Sequence, residues 1–156
     1  MNPADGSADR TVGRREFVAV STGALLLVPL APLLGGCASL VTRSVAPIEG
    51  KLHLALVHYP ELSQPGGVLR IRPVGSEEPI YVLVNEARRH VALSPICTHL
   101  GCTVEIQTAR LVCPCHGSTY DREGNVLQGP AQRPLARYTV ELTADGVLVI
   151  DLGKRT

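Results

Sequence analysis

Four of the five cysteines and two of the five histidines fall in two short motifs, CTHLGC at 97–102 and CPCHGSTYD at 113–121. Thiolates and imidazoles at this spacing call for a metal centre, and zinc and an iron–sulfur cluster are the candidates. The ligand-type residues form two groups, Cys97-x-His99 and Cys113-x-x-His116, with thirteen residues between His99 and Cys113. A tetrahedral zinc site could use two Cys and two His. Zinc motifs usually open on a wider C-x2-C spacing, however, and zinc leaves Cys102 and Cys115 without a role. A binuclear iron–sulfur cluster with mixed ligation fits better, because two His can replace two Cys on one of its irons. Each motif offers one Cys and one His, so each iron can draw one ligand from each loop.

The elements that must position these loops read as strands. The chain has 156 residues, enough for one domain plus an appendage, and its formal charge of +1 argues against a nucleic-acid binder. Phe17 is its only Phe and Trp is absent, so Val, Leu and Ile must fill the core, which favours β structure. KLHLALVHY alternates, with Leu52, Leu54 and Leu56 on one face. GGVLRIRPV follows a Gly66–Gly67 turn, and PIYVLVN and HVALSP flank a polar turn at Glu86–Arg89. RLVCP and GNVLQG bracket the second motif, and RYTVELTADGVLVIDL closes the chain as a hairpin turned at Asp145–Gly146. No helix-period stretch of useful length follows residue 40, and no internal repeat is visible. Both cysteine motifs therefore sit on loops carried by a rigid β scaffold. The other histidines, His53, His58 and His90, lie on strands or turns and read as ordinary surface or core residues.

The first residues are not part of that domain. Arg14 and Arg15 precede an apolar run from Phe17 to Leu34, the pattern of an export signal or membrane anchor. The arginine pair with Phe17 is similar to a twin-arginine signal. The run ends in LLGGC, which resembles a lipoprotein cleavage site with Cys37 as the lipid-bearing residue. As an uncleaved helix the run would measure roughly 27 Å, just enough to cross a bilayer, although Pro29 and Pro32 disfavour an unbroken helix. Either reading tethers the rest of the chain to the outer face of the cytoplasmic membrane. The expected organisation is a signal or anchor at 1–37, a linker at 38–50 and the folded domain at 51–152.

CTHLGC, CPCHGSTYD and the later GPAQRPL together resemble the Rieske iron–sulfur proteins, in particular those of cytochrome bc1 and b6f complexes. The resemblance runs from about Lys51 to Leu152. It implies an all-β fold, an antiparallel β-sandwich with a small cluster-binding subdomain, and a 2Fe-2S cofactor. It further implies that Cys97 and Cys113 bind the inner iron and His99 and His116 the outer one. Cys102 and Cys115 match the family's disulfide, which suits an extracytoplasmic site. Ser118 and Tyr120 match hydroxyls that bond a cluster sulfide and a cysteine sulfur, raising the potential. Leu100 matches an apolar cover at the docking tip. GPAQRPL resembles a stiff third loop, with Gln132 standing where the family often has Pro.

Imidazole ligands couple protons to electrons, which suits oxidation of a hydroquinone. The resemblance therefore points first to the iron–sulfur subunit of a quinol–cytochrome c reductase. Its partners would be a membrane quinol and a cytochrome c-type acceptor. The electron-transfer subunit of a periplasmic molybdenum oxidoreductase of the arsenite oxidase type, and a standalone electron carrier, remain alternatives. A lipid anchor at Cys37 in place of a membrane helix would favour these two.

Overall fold

The structure, a computed structural model, describes residues 41–156. The twin-arginine-like segment, the apolar run and Cys37 lie outside the described residues. No helix among the described residues is long and apolar enough to cross a membrane.

The strands are β1 (Thr42–Val45), β2 (Lys51–Ala55), β3 (Val68–Pro73), β4 (Ile80–Val84), β5 (His90–Leu93), β6 (Glu105–Ile106), β7 (Leu111–Val112), β8 (Thr119–Tyr120), β9 (Val126–Gln128), β10 (Arg137–Leu142) and β11 (Val147–Arg155). They form a seven-stranded sheet of order β1-β3-β4-β5-β10-β11-β2 and a four-stranded sheet of order β6-β7-β8-β9. The small sheet carries the second cysteine motif between β7 and β8. The first motif lies between β5 and β6, where the chain leaves the large sheet for the small one.

Three details differ from the sequence expectation. Thr42–Val45, within the stretch read as a linker, is a strand that pairs parallel with β3, the one parallel pair among the described strands. The KLHLALVHY alternation stops at Ala55. Two short 3-10 helices, Leu56–His58 and Pro60–Ser63, then carry the chain back to pack on β3 and β4. Leu56 thus leaves the strand, while Leu52 and Leu54 are fully buried. The last strand also runs past Leu152, because Arg155 pairs with Tyr138 across a bulge in β10.

Strand β4 is the wall between two cores. All five of its residues are buried. Ile80, Val82 and Val84 face a core built with Leu52, Leu54, Leu69, Ile71, Leu148 and Ile150. Tyr81 and Leu83 face the other way, into a core shared with Leu93, Cys97, Val104, Leu111, Cys113, Tyr120 and Leu135. Alternate side chains of a strand point to opposite faces, so burial on both produces the unbroken apolar run IYVLV. The cluster loops therefore rest on the same strand that anchors the main core.

Polar contacts join the two sheets. The Tyr81 hydroxyl donates to the Val104 carbonyl at 2.9 Å inside the second core. The Arg122 guanidinium, on the turn after β8, donates to the carbonyls of Gly66 (2.8 Å) and Gly67 (3.0 Å) in the turn before β3 and of Thr108 (3.1 Å) in the turn between β6 and β7. Asn85 donates to Glu123 at 3.1 Å across the same junction. Only the Tyr81–Val104 bond is buried, and leaving its carbonyl without a donor would cost about 1–3 kcal/mol; the partly exposed Arg122 and Asn85 contacts set the register of the two sheets more than their stability.

Candidate metal centre

Two turns of the same construction present the cysteine and histidine side chains. In the first, the Cys97 N–H donates to the Cys102 carbonyl (2.8 Å) and the Gly101 N–H to the Cys97 carbonyl (2.9 Å). In the second, the Cys113 N–H donates to the Ser118 carbonyl (2.8 Å) and the Gly117 N–H to the Cys113 carbonyl (3.0 Å). The chain can double back so sharply because Gly101 and Gly117 adopt φ of +80° and +72°, a region glycine enters without steric penalty. A disulfide joins Cys102 to Cys115 and so ties one turn to the other.

Cys97 and Cys113 are the free cysteines among the described residues, and both are buried. The sulfurs of Cys102, Cys113 and Cys115 lie within 4.8 Å of one another. The disulfide consumes two of these, so only Cys113 in that group is available as a thiolate ligand. The rings of His99 and His116 meet edge to face with centroids 4.9 Å apart. His99 Nδ1 is buried without a hydrogen-bond partner. An orphaned imidazole nitrogen, a second imidazole against it and two buried unpaired thiols fit a group that takes both thiolates and imidazoles.

The surroundings favour the thiolate. Burial acts to raise the Cys97 thiol, but hydrogen bonds from the Tyr120 hydroxyl, the His99 backbone, Cys113 and Ser118 outweigh it and hold its pKa below the ordinary value. The Tyr120 hydroxyl stands 3.2 Å from Cys97 Sγ. Burial, and then the neighbouring Cys97, push the Tyr120 pKa up, so the phenol keeps its proton. Ser118 is fully buried, and its Oγ accepts the Ala131 N–H at 3.1 Å. Its own hydrogen is thereby left to donate elsewhere.

The third loop closes over these groups. Thr98 Oγ1 donates to the Arg133 carbonyl at 2.6 Å and also lies 3.2 Å from the Tyr120 hydroxyl. Gly129 presses against the second turn so closely that a Cβ there would stand 2.6 Å from Ser118 Cα. Gln132 is exposed, so this position does not shape the buried side of the loop. Sequence reading missed Thr98 and Arg122. Their roles depend on backbone carbonyls of distant segments, which leave no pattern in side-chain type or spacing.

Leu100 is 68% exposed beside these turns. A groove of about 460 Å³ is lined by Cys97, His99, Leu100, Arg133 and Arg155 among others. His116 is exposed and His99 half-buried, so the imidazole end of the centre faces outward. His53 and His58 are exposed and remote, and His90 bonds the Leu62 carbonyl at 3.0 Å.

A large sheet carrying a small one, with two cysteine–histidine turns tied together by a disulfide, is the architecture of a metal-binding module. Residues 55–139, more than half of the chain, match the Rieske [2Fe-2S] domain family. The chain belongs to that family, is an electron-transfer protein, and its cofactor is a 2Fe-2S cluster. It is 45% identical over 76 residues to the cytochrome b6-f complex iron-sulfur subunit of Prochlorococcus marinus (strain AS9601), covering 46% of this chain and 43% of the relative. It is 34% identical over 116 residues to the corresponding subunit of Chlorobaculum tepidum, covering 72% of this chain and 62% of that subunit. The match therefore spans less than two thirds of either relative. A quaternary ammonium Rieske monooxygenase shares the fold, with a TM-score of 0.52 at 20% identity over 60% of this chain and 28% of that one.

Proposed function

We propose that Cys97 and Cys113 bind one iron of the cluster and His99 and His116 the other. We further propose that the protein is the membrane-attached iron–sulfur subunit of a quinol-oxidising cytochrome complex, working on the extracytoplasmic face. The observation that carries the ligand set is the pairing of two matching turns. Each brings one buried free cysteine and one imidazole to the same place, and the Cys102–Cys115 bridge holds them together. The relatives named as b6-f subunits support the choice of complex.

Bound there, the cluster supplies one-electron chemistry in the range of about −150 to +300 mV typical of this ligation. The protein's own residues do the rest. Tyr120 and Ser118 supply hydrogen bonds at the sulfur end, which stabilise added negative charge. His116, at the exposed end, offers an imidazole edge to a hydroquinone hydroxyl and can take its proton. Leu100 forms an apolar rim where a partner can exclude water while the electron passes.

The test has two parts. The purified protein should contain two irons and two acid-labile sulfides per chain, with the low average EPR g-value of mixed His/Cys ligation. Stoichiometric zinc without iron would sink the ligand assignment. The native membrane complex should oxidise a quinol and reduce a c-type cytochrome. A complex that oxidised a small oxyanion and no quinol would replace the proposed partner.

A further inference from the structure

Cys113 is placed to do more than bind metal. Its sulfur lies within 4.8 Å of both sulfurs of the Cys102–Cys115 bridge. It is free and buried, so its neighbours are other groups of this chain rather than solvent thiols. Thiol–disulfide exchange requires a thiolate near a disulfide sulfur, and it needs no external oxidant. We propose that, whenever the cluster is absent, Cys113 exchanges into the bridge, so that cluster ligation is what keeps the disulfide paired as Cys102–Cys115. This rests on the reading of Cys113 as a cluster ligand.

The step balances within the chain. Cys113 gives its proton to the medium, its thiolate attacks Cys102 Sγ, a Cys102–Cys113 bond forms, the Cys102–Cys115 bond breaks, and Cys115 leaves as the thiolate. One disulfide and one thiolate are present before and after. The native bridge joins residues 13 apart. The exchanged one would join residues 11 apart by their numbering. Loop-closure entropy depends only on the logarithm of that length, so it barely separates the two pairings. Attack at Cys115 would instead close a ring around Pro114 alone, a less relaxed product. Nothing in chain connectivity protects the native pairing over Cys102–Cys113. Occupation of the Cys113 sulfur by iron would, because coordination engages the lone pair that attack needs and holds the sulfur in place. The exchanged state in turn has no free Cys113 and cannot accept a cluster through it. The bridge thus acts as a lock that closes against late cluster loading.

The experiment uses the full-length protein. Its iron and sulfide are measured first, which tests the ligand reading independently. Cluster is then removed with a chelator at about pH 8 without added thiol. At intervals free thiols are trapped with a maleimide, and peptides are mapped by tandem mass spectrometry. Loaded protein should show only Cys102–Cys115, with Cys113 alkylated on denaturation. Stripped protein should accumulate Cys102–Cys113 with Cys115 alkylated, at a rate independent of protein concentration. Cys97→Ser protein prepared without cluster should exchange as well, since Cys97 is not the attacking group. Stripped protein that keeps Cys102–Cys115 alone for hours would overturn the proposal. So would scrambling that draws in Cys97 equally, which would trace the exchange to unfolding rather than to the placement of Cys113.

Discussion

Gly101 and Gly117 hold equivalent positions in two copies of one turn. Each donates its N–H to the carbonyl of the cysteine four residues earlier, at 2.9 and 3.0 Å, and each has φ near +75°. No atom lies within 4 Å of where a Cβ would stand at either site. The requirement is therefore one of backbone conformation and not of space.

Alanine at Gly101 or Gly117 should cost about 1–2 kcal/mol of turn stability each, the penalty of the left-handed region. The cluster should still assemble but be lost faster, read as the decay of visible absorbance on mild heating. Gly129→Ala should be worse than either, because its φ of +103° is joined by a 2.6 Å approach to the Ser118 backbone that cannot give way. Equal decay rates for all three variants would show that contact with the third loop is irrelevant to cluster retention.

Tyr120 and Ser118 should set the potential. Each hydrogen bond to a charged group contributes about 1.5–3 kcal/mol, and ~59 mV corresponds to a tenfold change for a one-electron couple. Tyr120→Phe removes the 3.2 Å contact to Cys97 Sγ, and Ser118→Ala removes a fully buried hydroxyl. Either should lower the potential by several tens of millivolts or more, up to roughly 130 mV, with the cluster intact. Protein-film voltammetry measures this directly, and unchanged potentials in both would mean that the hydroxyls bond elsewhere.

Most strands and the clustering of Cys with His were legible because both are local signals. PIYVLVN and HVALSP read as strands on either side of a polar turn, and Cys and His at close spacing point to a metal site. Asp145–Gly146 likewise marks the last hairpin, whose Gly146 has φ +80°. What escaped notice is non-local. Thr42–Val45 carries no apolar alternation and is a strand only because β3 offers a free edge. Leu56 continues an alternating pattern yet turns into a 3-10 helix, because the chain must cross to β3 and β4. Thr98 and Arg122 look like ordinary polar loop residues until the loops they bridge are folded together.

Arg122 should behave as the clasp between the sheets. Arg122→Ala leaves the carbonyls of Gly66, Gly67 and Thr108 without a charged donor, and a loss of about 1–2 kcal/mol is expected because two of the three bonds are exposed to water. Lysine cannot reach three acceptors in a planar fork, so Arg122→Lys should recover only part of it. Urea unfolding curves decide this. A loss within the roughly 0.5 kcal/mol typical of surface substitutions would show that solvent replaces the clasp.

Leu100 should matter to partners and not to the cluster. It is exposed, and its substitution removes no core packing. Leu100→Asp should leave the potential and thermal stability near those of the parent while slowing electron exchange with the native complex at least several-fold. An unchanged exchange rate would move the docking surface away from this rim.

Alkaline stability should be governed by buried tyrosines. Burial raises the Tyr81 pKa above its ordinary value of 10.0, with the Arg70 guanidinium opposing and Glu105 assisting. Burial raises Tyr138 in the same way, against Arg155, whose guanidinium lies 4.8 Å from the ring centroid, with Glu78 assisting. Tyr120 shifts in the same direction, but it touches Cys97, so the two remote tyrosines are the cleaner probes. As pH climbs past about 10 the unfolded chain releases these protons first. It then binds fewer protons than the folded chain, so stability falls with rising pH. The contribution is complete below the unfolded value and is lost as pH rises through the folded ones. Ionising Tyr81 also ends its donation to the Val104 carbonyl, which ties β4 to the start of the small sheet. Urea midpoints should therefore be level between about pH 7 and 9 and drop steeply above about 10. Tyr138→Phe should flatten part of that drop, and Tyr81→Phe should flatten another part at the cost of a lower midpoint at neutral pH. A midpoint that stays level to about pH 11 in the parent protein would show that neither phenol differs between the folded and unfolded states.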